Sequence, residues 1–142
     1  MALTAKTVYI HPQNWDGNPP MTGGWRKVIL HLTAICDADG VNTDESDVVK
    51  LDISSLRKVD GTAPTRTSIE SVHWTIGGFN NVELSWDRTP TSSIITMSGL
   101  GEIKHAILDQ GEAGDKTGDL LLSTYGASVG SVYSIELEVK LK

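Results

Sequence analysis

From Tyr133 to Lys142 apolar and polar residues alternate without a break: Tyr133, Ile135, Leu137, Val139 and Leu141 against Ser134, Glu136, Glu138, Lys140 and Lys142. Side chains on an extended strand point alternately to opposite faces, so this segment forms a strand with one face buried and one wet. The same period recurs at Val72, Trp74 and Ile76, at Val82, Leu84 and Trp86, and at Val49, Leu51 and Ile53. The stretch from Trp25 to Ile35 is longer and richer in Val, Ile and Leu, as expected of a central strand. Weaker strands are expected around residues 7–10, 93–98, 103–107 and 119–125. No long segment shows the period of about 3.6 residues that marks a helix, so little or no helix is expected.

About eight or nine short strands, separated by Gly, Asn, Asp and Pro punctuation, predict an all-β fold. The expected architecture is an antiparallel two-sheet β-sandwich, jelly-roll or Ig-like. The 142 residues suit a single domain, 1–142, with a core of its own. Gly77-Gly78-Phe79-Asn80-Asn81 reads as a hairpin loop, which would set Trp74 and Trp86 on adjacent strands.

Two segments interrupt the alternation. The irregular stretch 11–24 is too long for a tight turn, and loops of such length are often functional. Its Pro12, Asn14, Trp15, Asp16, Pro19 and Pro20, together with Trp25, are the candidate partner contacts, with Trp15 exposed on a projecting arm; the competing expectation is a loop packed on its own domain. The second segment, Ala38–Asp47, carries Asp39, Asp44, Glu45 and Asp47 and is expected to be an exposed acidic loop.

Charge and motifs narrow the function. Twelve basic residues against eighteen acidic ones give a formal charge of −6, and the basic residues are scattered, with Arg26-Lys27 and Arg57-Lys58 the longest runs. Binding a phosphate backbone needs clustered cations, so no nucleic-acid partner is expected. No apolar run approaches the roughly 20 residues of a membrane span, and the first residues lack the organisation of a secretory signal. Cys36 is the only cysteine, which excludes an intramolecular disulfide, fits a reducing cytoplasm, and suits a small buried hydrophobe at a strand end.

No chemistry-bearing motif stands out. His11, His31, His73 and His105 show no paired zinc spacing, so no metal site is expected. The stretch Asp37–Glu45 has the oxygen-rich look of a calcium loop, but its glycine, Gly40, falls at the fourth place instead of the sixth, and Val48 stands at the twelfth instead of a glutamate. There is no Gly-x-Ser-x-Gly elbow and no phosphate-cradling loop. Glu136 and Glu138 lie on the wet face of a strand, as solubilising charge does. The expectation is a chain that is not an enzyme, with no catalytic residue and no cofactor.

The runs Ile69-Glu70-Ser71-Val72-His73-Trp74-Thr75-Ile76-Gly77-Gly78-Phe79 and Val82-Glu83-Leu84-Ser85-Trp86-Asp87 resemble small structural proteins of tailed-bacteriophage particles. So do Thr117-Gly118-Asp119-Leu120-Leu121-Leu122-Ser123-Thr124-Tyr125-Gly126-Ala127 and Gly130-Ser131-Val132-Tyr133-Ser134-Ile135-Glu136-Leu137. The resemblance spans residues 69–142. It implies a virion structural protein, foremost a capsid decoration (cement) protein, assembled in the host cytoplasm. Such a protein binds the major capsid protein on the outer shell as a homo-oligomer, a trimer or dimer. Competing readings are another virion component, at the head–tail joint, tail or fibre base, and a carbohydrate-binding module stacking sugars on Trp15, Trp25 or Tyr125.

Overall fold

The computed structural model describes residues 3–13, 15, 23–37, 43–88, 91–104, 108–109 and 116–142. Its strands are β1 (Leu3–His11), β2 (Lys27–Cys36), β3 (Val48–Leu51), β4 (Thr67–Gly77), β5 (Asn81–Arg88), β6 (Ser92–Met97), β7 (Leu100–Ile103), β8 (Leu108–Asp109), β9 (Lys116–Tyr125) and β10 (Val132–Leu141). One 3-10 turn, Ile53–Ser55, is the sole helical element among the described residues. β8 is only two residues long, so nine strands carry the architecture, and the all-β expectation is met.

The terminal alternating segment is β10, and its inward residues from Tyr133 to Leu141 are all buried. It lies between β2 and β4, antiparallel to both, in a sheet of order β1-β2-β10-β4-β7, with β8 also paired to β4. Leu30, Leu137 and Val72 stand in register across the three inner strands, each almost fully buried. Each such side chain contributes about 1.5–3 kcal/mol by area removed from water. The second sheet has the order β3-β9-β5-β6 and faces the first with Leu120, Leu122, Val82, Leu84 and Met97, all fully buried.

The pairs β2–β10, β3–β9, β4–β7 and β5–β6 are nested, the outermost joining the ends of the run and the innermost its middle. A long hairpin rolled onto itself gives this pattern. It is the strand order of a jelly roll, with β1 added outside β2. The Ig-like alternative divides its strands differently and falls away.

Two local expectations are corrected, and a third departs at one residue. Gly77–Asn81 is not a hairpin loop, because β4 and β5 belong to different sheets, and Trp74 and Trp86 are not cross-strand partners. The chain crosses between the sheets there: Gly78 turns with φ +84° against Ser131, and Phe79 drops into the interior 6.0 Å from the Tyr133 ring. Trp86 is buried, whereas Trp74 is only partly buried and donates from Nε1 to the Ser98 carbonyl at 3.1 Å. Strand β3 is shorter than its alternation suggests. A bulge between Val49 and Leu51 leaves Val49 49% exposed, while Leu51 and Ile53 are buried.

The acidic segment is exposed, as expected, at Thr43, Asp44, Ser46 and Asp47, and among its described residues only Glu45 departs from that expectation. Its residues 38–42 lie outside the described residues, but 43–47 are bound to the fold rather than loose. Asp44 accepts from the amides of Gly126 and Ala127 and from the Thr124 hydroxyl. Asp47 accepts from the Ser123 hydroxyl. Glu45 accepts from the Tyr133 hydroxyl at 2.7 Å and from Lys50 Nζ at 2.5 Å, and the Lys50 and Glu45 side chains are 7% and 9% exposed. Asp44 and Asp47 keep their exposure, whereas the Glu45 carboxylate has found donors on β10 and β3 that repay the loss of solvent.

Candidate functional site

The described residues hold no cluster of three or more His, Cys, Asp or Glu side chains able to bind a metal. His31 and His73 do come together in one sense. Both are in register with Glu136, one on each side, and the row continues to Glu102 on the outer face of the first sheet. His31 Nε2 is 2.6 Å from the Ser134 hydroxyl. Cys36 is buried, and desolvation, reinforced by Asp44, pushes its thiol above the ordinary value, away from the reactive thiolate.

The candidate partner residues do not share one fate. Asn14, Asp16, Pro19 and Pro20 lie outside the described residues. Pro12 is buried, following a cis peptide bond to His11. Trp15 is half-buried, its ring 4.5 Å from that of Tyr9 and packed against the core instead of projecting. Burial, with a smaller contribution from Asp52, pushes the Tyr9 phenol up to about 12. Trp25 remains 36% exposed, its ring near-perpendicular to that of His11 with centroids 4.7 Å apart.

Trp25 is held where it is by its neighbours. A Cβ on Gly24 would lie 2.0 Å from the Lys58 carbonyl oxygen, so glycine alone permits this approach of two backbones. The Trp25 amide donates to the Arg57 carbonyl at 3.0 Å, and the Leu141 amide donates to the Arg26 carbonyl at 2.9 Å. Residues 58–62 form a tight turn: Gly61 N donates to Lys58 O, and Asp60 Oδ1 accepts from the Thr62 amide and hydroxyl at 3.0 and 2.6 Å. The Thr62 hydroxyl, then its amide, hold the Asp60 carboxyl below the usual range.

These contacts frame an open cavity of about 400 Å³ lined by Trp25, Arg26, Lys58, Val59, Asp60, Lys140 and Leu141. Trp25, Val59 and Leu141 supply apolar surface, and Val59 is 66% exposed. Among the described residues, Arg26, Lys58 and Lys140 supply three cations against one carboxylate already engaged by its own turn. The surroundings carry both signs, with Glu138 and Glu70 beside Lys27. Lys27 is paired with Glu138 at 2.6 Å, and Arg66 and Lys142 exchange backbone hydrogen bonds nearby. The two basic pairs that look scattered in the sequence are therefore brought together at one end of the six-stranded sheet. On the four-stranded-sheet side of the same end, Asp119 accepts from the Ile53 amide, and burial, then Asp52 and Asp87, push its carboxyl up.

The sequence pointed to Trp25 but missed Arg26, Lys58, Val59 and Lys140 as its companions. Their signal was present in the pairs Arg26-Lys27 and Arg57-Lys58; what was lacking was the strand order that joins the start of β2 to the end of β10. Comparison with family models, curated proteins and solved structures gives no match.

Proposed function

We propose that this chain is a virion structural protein of a tailed bacteriophage, acting by docking and not by catalysis. Its foremost role is capsid decoration: binding the major capsid protein on the outer head surface, as a trimer or dimer, and stabilising the shell. The observation that carries the reading is the nested strand order β2-β10-β4-β7 facing β3-β9-β5-β6. That jelly-roll order recurs in viral shells, and here it is closed by β9 and β10, within the very stretch whose sequence resembles small phage structural proteins. A decoration protein needs a rigid body and a gripping surface of about 800 Å² per partner, not a cleft. The cationic end around Trp25 supplies a surface on which such a grip can be centred. Repetition over a symmetric shell multiplies a modest contact by avidity.

The test is reconstitution. Folded protein is mixed with capsids lacking it, before and after expansion, and bound protein is counted by sedimentation and located by cryo-electron microscopy. Saturable binding at symmetric sites on the head is expected. Binding to neither capsid form refutes decoration, and density at the head–tail joint, tail or fibre base moves the protein to that part of the particle. Jelly rolls also serve lectins, and exposed Trp25 favours a sugar-binding reading as the second choice. A glycan array without hits removes it.

A further inference from the structure

We infer that the cavity beside Trp25 is a docking site for a short acidic peptide segment that carries an apolar side chain. The inference goes beyond the virion reading and holds whatever particle or protein the segment belongs to. Its basis is the division of the cavity into two chemistries. Trp25, Val59 and Leu141 offer an apolar surface, while Arg26, Lys58 and Lys140 offer cations around it. The cavity, about 400 Å³ and open to solvent, suits a segment that lies across the surface rather than an enclosed ligand. An apolar side chain of the segment would rest on the indole, and its flanking carboxylates would meet the three cations.

Two other anionic or stacking ligands fit less well. A sugar needs planar polar groups to read its hydroxyls, and among the described lining residues the one carboxylate, Asp60, is already accepting twice from Thr62. A long polyanion would have to pass from the cationic cavity along a chain of formal charge −6, with Asp52, Asp87 and Asp119 on the other side of the same end. A short segment avoids those carboxylates. Charges beyond about 8 Å are screened at physiological ionic strength, so the cavity's own cations dominate what a short ligand feels.

The experiment titrates the full chain against a fluorescein-labelled peptide of Asp and Glu residues around a central Leu, read by fluorescence anisotropy. Parallel arms use the same peptide with Ser for Leu, a Lys-for-acid version, a heparin-derived oligosaccharide and a single-stranded oligonucleotide. The Leu-centred acidic peptide is expected to bind best and to weaken as salt is raised. The paired change Lys58→Glu with Lys140→Glu should weaken it at least about tenfold, and Trp25→Ala should erase the preference for Leu over Ser. Lys104→Glu, on an exposed residue outside the cavity, should alter neither. The surface charge reversals keep the test valid even if Trp25→Ala disturbs the fold. Absence of peptide binding, equal binding by the reversed variant, or tighter binding of the oligosaccharide or oligonucleotide through the same residues overturns the inference. Capsid reconstitution can fail while this titration succeeds, and the reverse, so the two readings are separately exposed.

Discussion

Replacing Glu45 by alanine removes a single carboxylate and strands two buried donors. Lys50 Nζ, 2.5 Å away on a side chain 7% exposed, loses its counter-charge, and the Tyr133 hydroxyl loses an acceptor at 2.7 Å. Breaking a buried ion pair from one side costs about 3–5 kcal/mol, because the remaining charge stays desolvated. The Lys50 chain is flexible enough to recover some water, which places the expected loss near the lower bound, about 3 kcal/mol. Against a typical domain stability of about 5–15 kcal/mol this is a large fraction. For a domain of this size it corresponds to roughly 6–12 °C in Tm. The assay is urea unfolding followed by tryptophan fluorescence and far-ultraviolet circular dichroism, with the slope against denaturant unchanged. The companion variant, Glu45→Leu with Lys50→Met, removes both charges and should recover part of the loss, since it leaves no orphaned ion although the Tyr133 hydroxyl still lacks its acceptor. A Glu45→Ala variant within about 0.5 kcal/mol of the parent, or a double variant as unstable as the single one, would falsify the view that this pair is a buried, mutually dependent unit.

Three further outcomes follow from the same geometry. Gly78→Ala must place a Cβ at φ +84° and 2.7 Å from Ser131 Oγ, so it should cost about 1–3 kcal/mol in an unfolding titration; an unchanged midpoint would contradict the tight crossover. Tyr9 titrates at about 12 in the folded chain against about 10 when unfolded, so the stability of its protonated form is complete below pH 10 and lost as pH rises towards 12. Tyr133 is shifted the same way, by burial first and then by Glu45, and Tyr9→Phe should flatten part of the alkaline slope measured by urea titrations across that range. Gly101→Ala would bring a Cβ to 2.2 Å from the Trp74 ring; displacement of the indole, seen as a changed near-ultraviolet circular dichroism spectrum and a loss of about 1–3 kcal/mol, is expected, and an unaltered spectrum would count against the contact.

How much of this was legible in the sequence depended on the kind of information each residue carries. Alternation names the buried face of a strand, so Tyr133 to Leu141 and Val82, Leu84 and Trp86 were readable as core. It does not name the sheet. Gly77–Asn81 has the same turn chemistry whether the chain returns beside itself or crosses to the opposite layer, and only the packing of Gly78 on Ser131 distinguishes the two. Val49 kept the pattern of an inward residue, but a bulge on an edge strand turned it outward. Asp44 is solvent-exposed as the segment's composition suggests, but Glu45 looked like solvated charge because its donor Tyr133 is remote in the chain. The cavity was hidden for the same reason: Trp25, Lys58 and Lys140 become neighbours only through tertiary pairing.

The position of β10 has a consequence for biosynthesis. Strands β2 and β4 are made early, yet in the finished sheet they never touch, because the gap between them is filled by Val132–Leu141. Until that stretch leaves the ribosome, two long strands carry unsatisfied backbone edges and an open apolar layer, and local contacts alone cannot close it. The nascent chain therefore passes through a stage in which holding chaperones, dilution or speed of release decide between folding and association. A ribosome-stalling series should show protease resistance arriving abruptly once β10 emerges, not in increments with each strand.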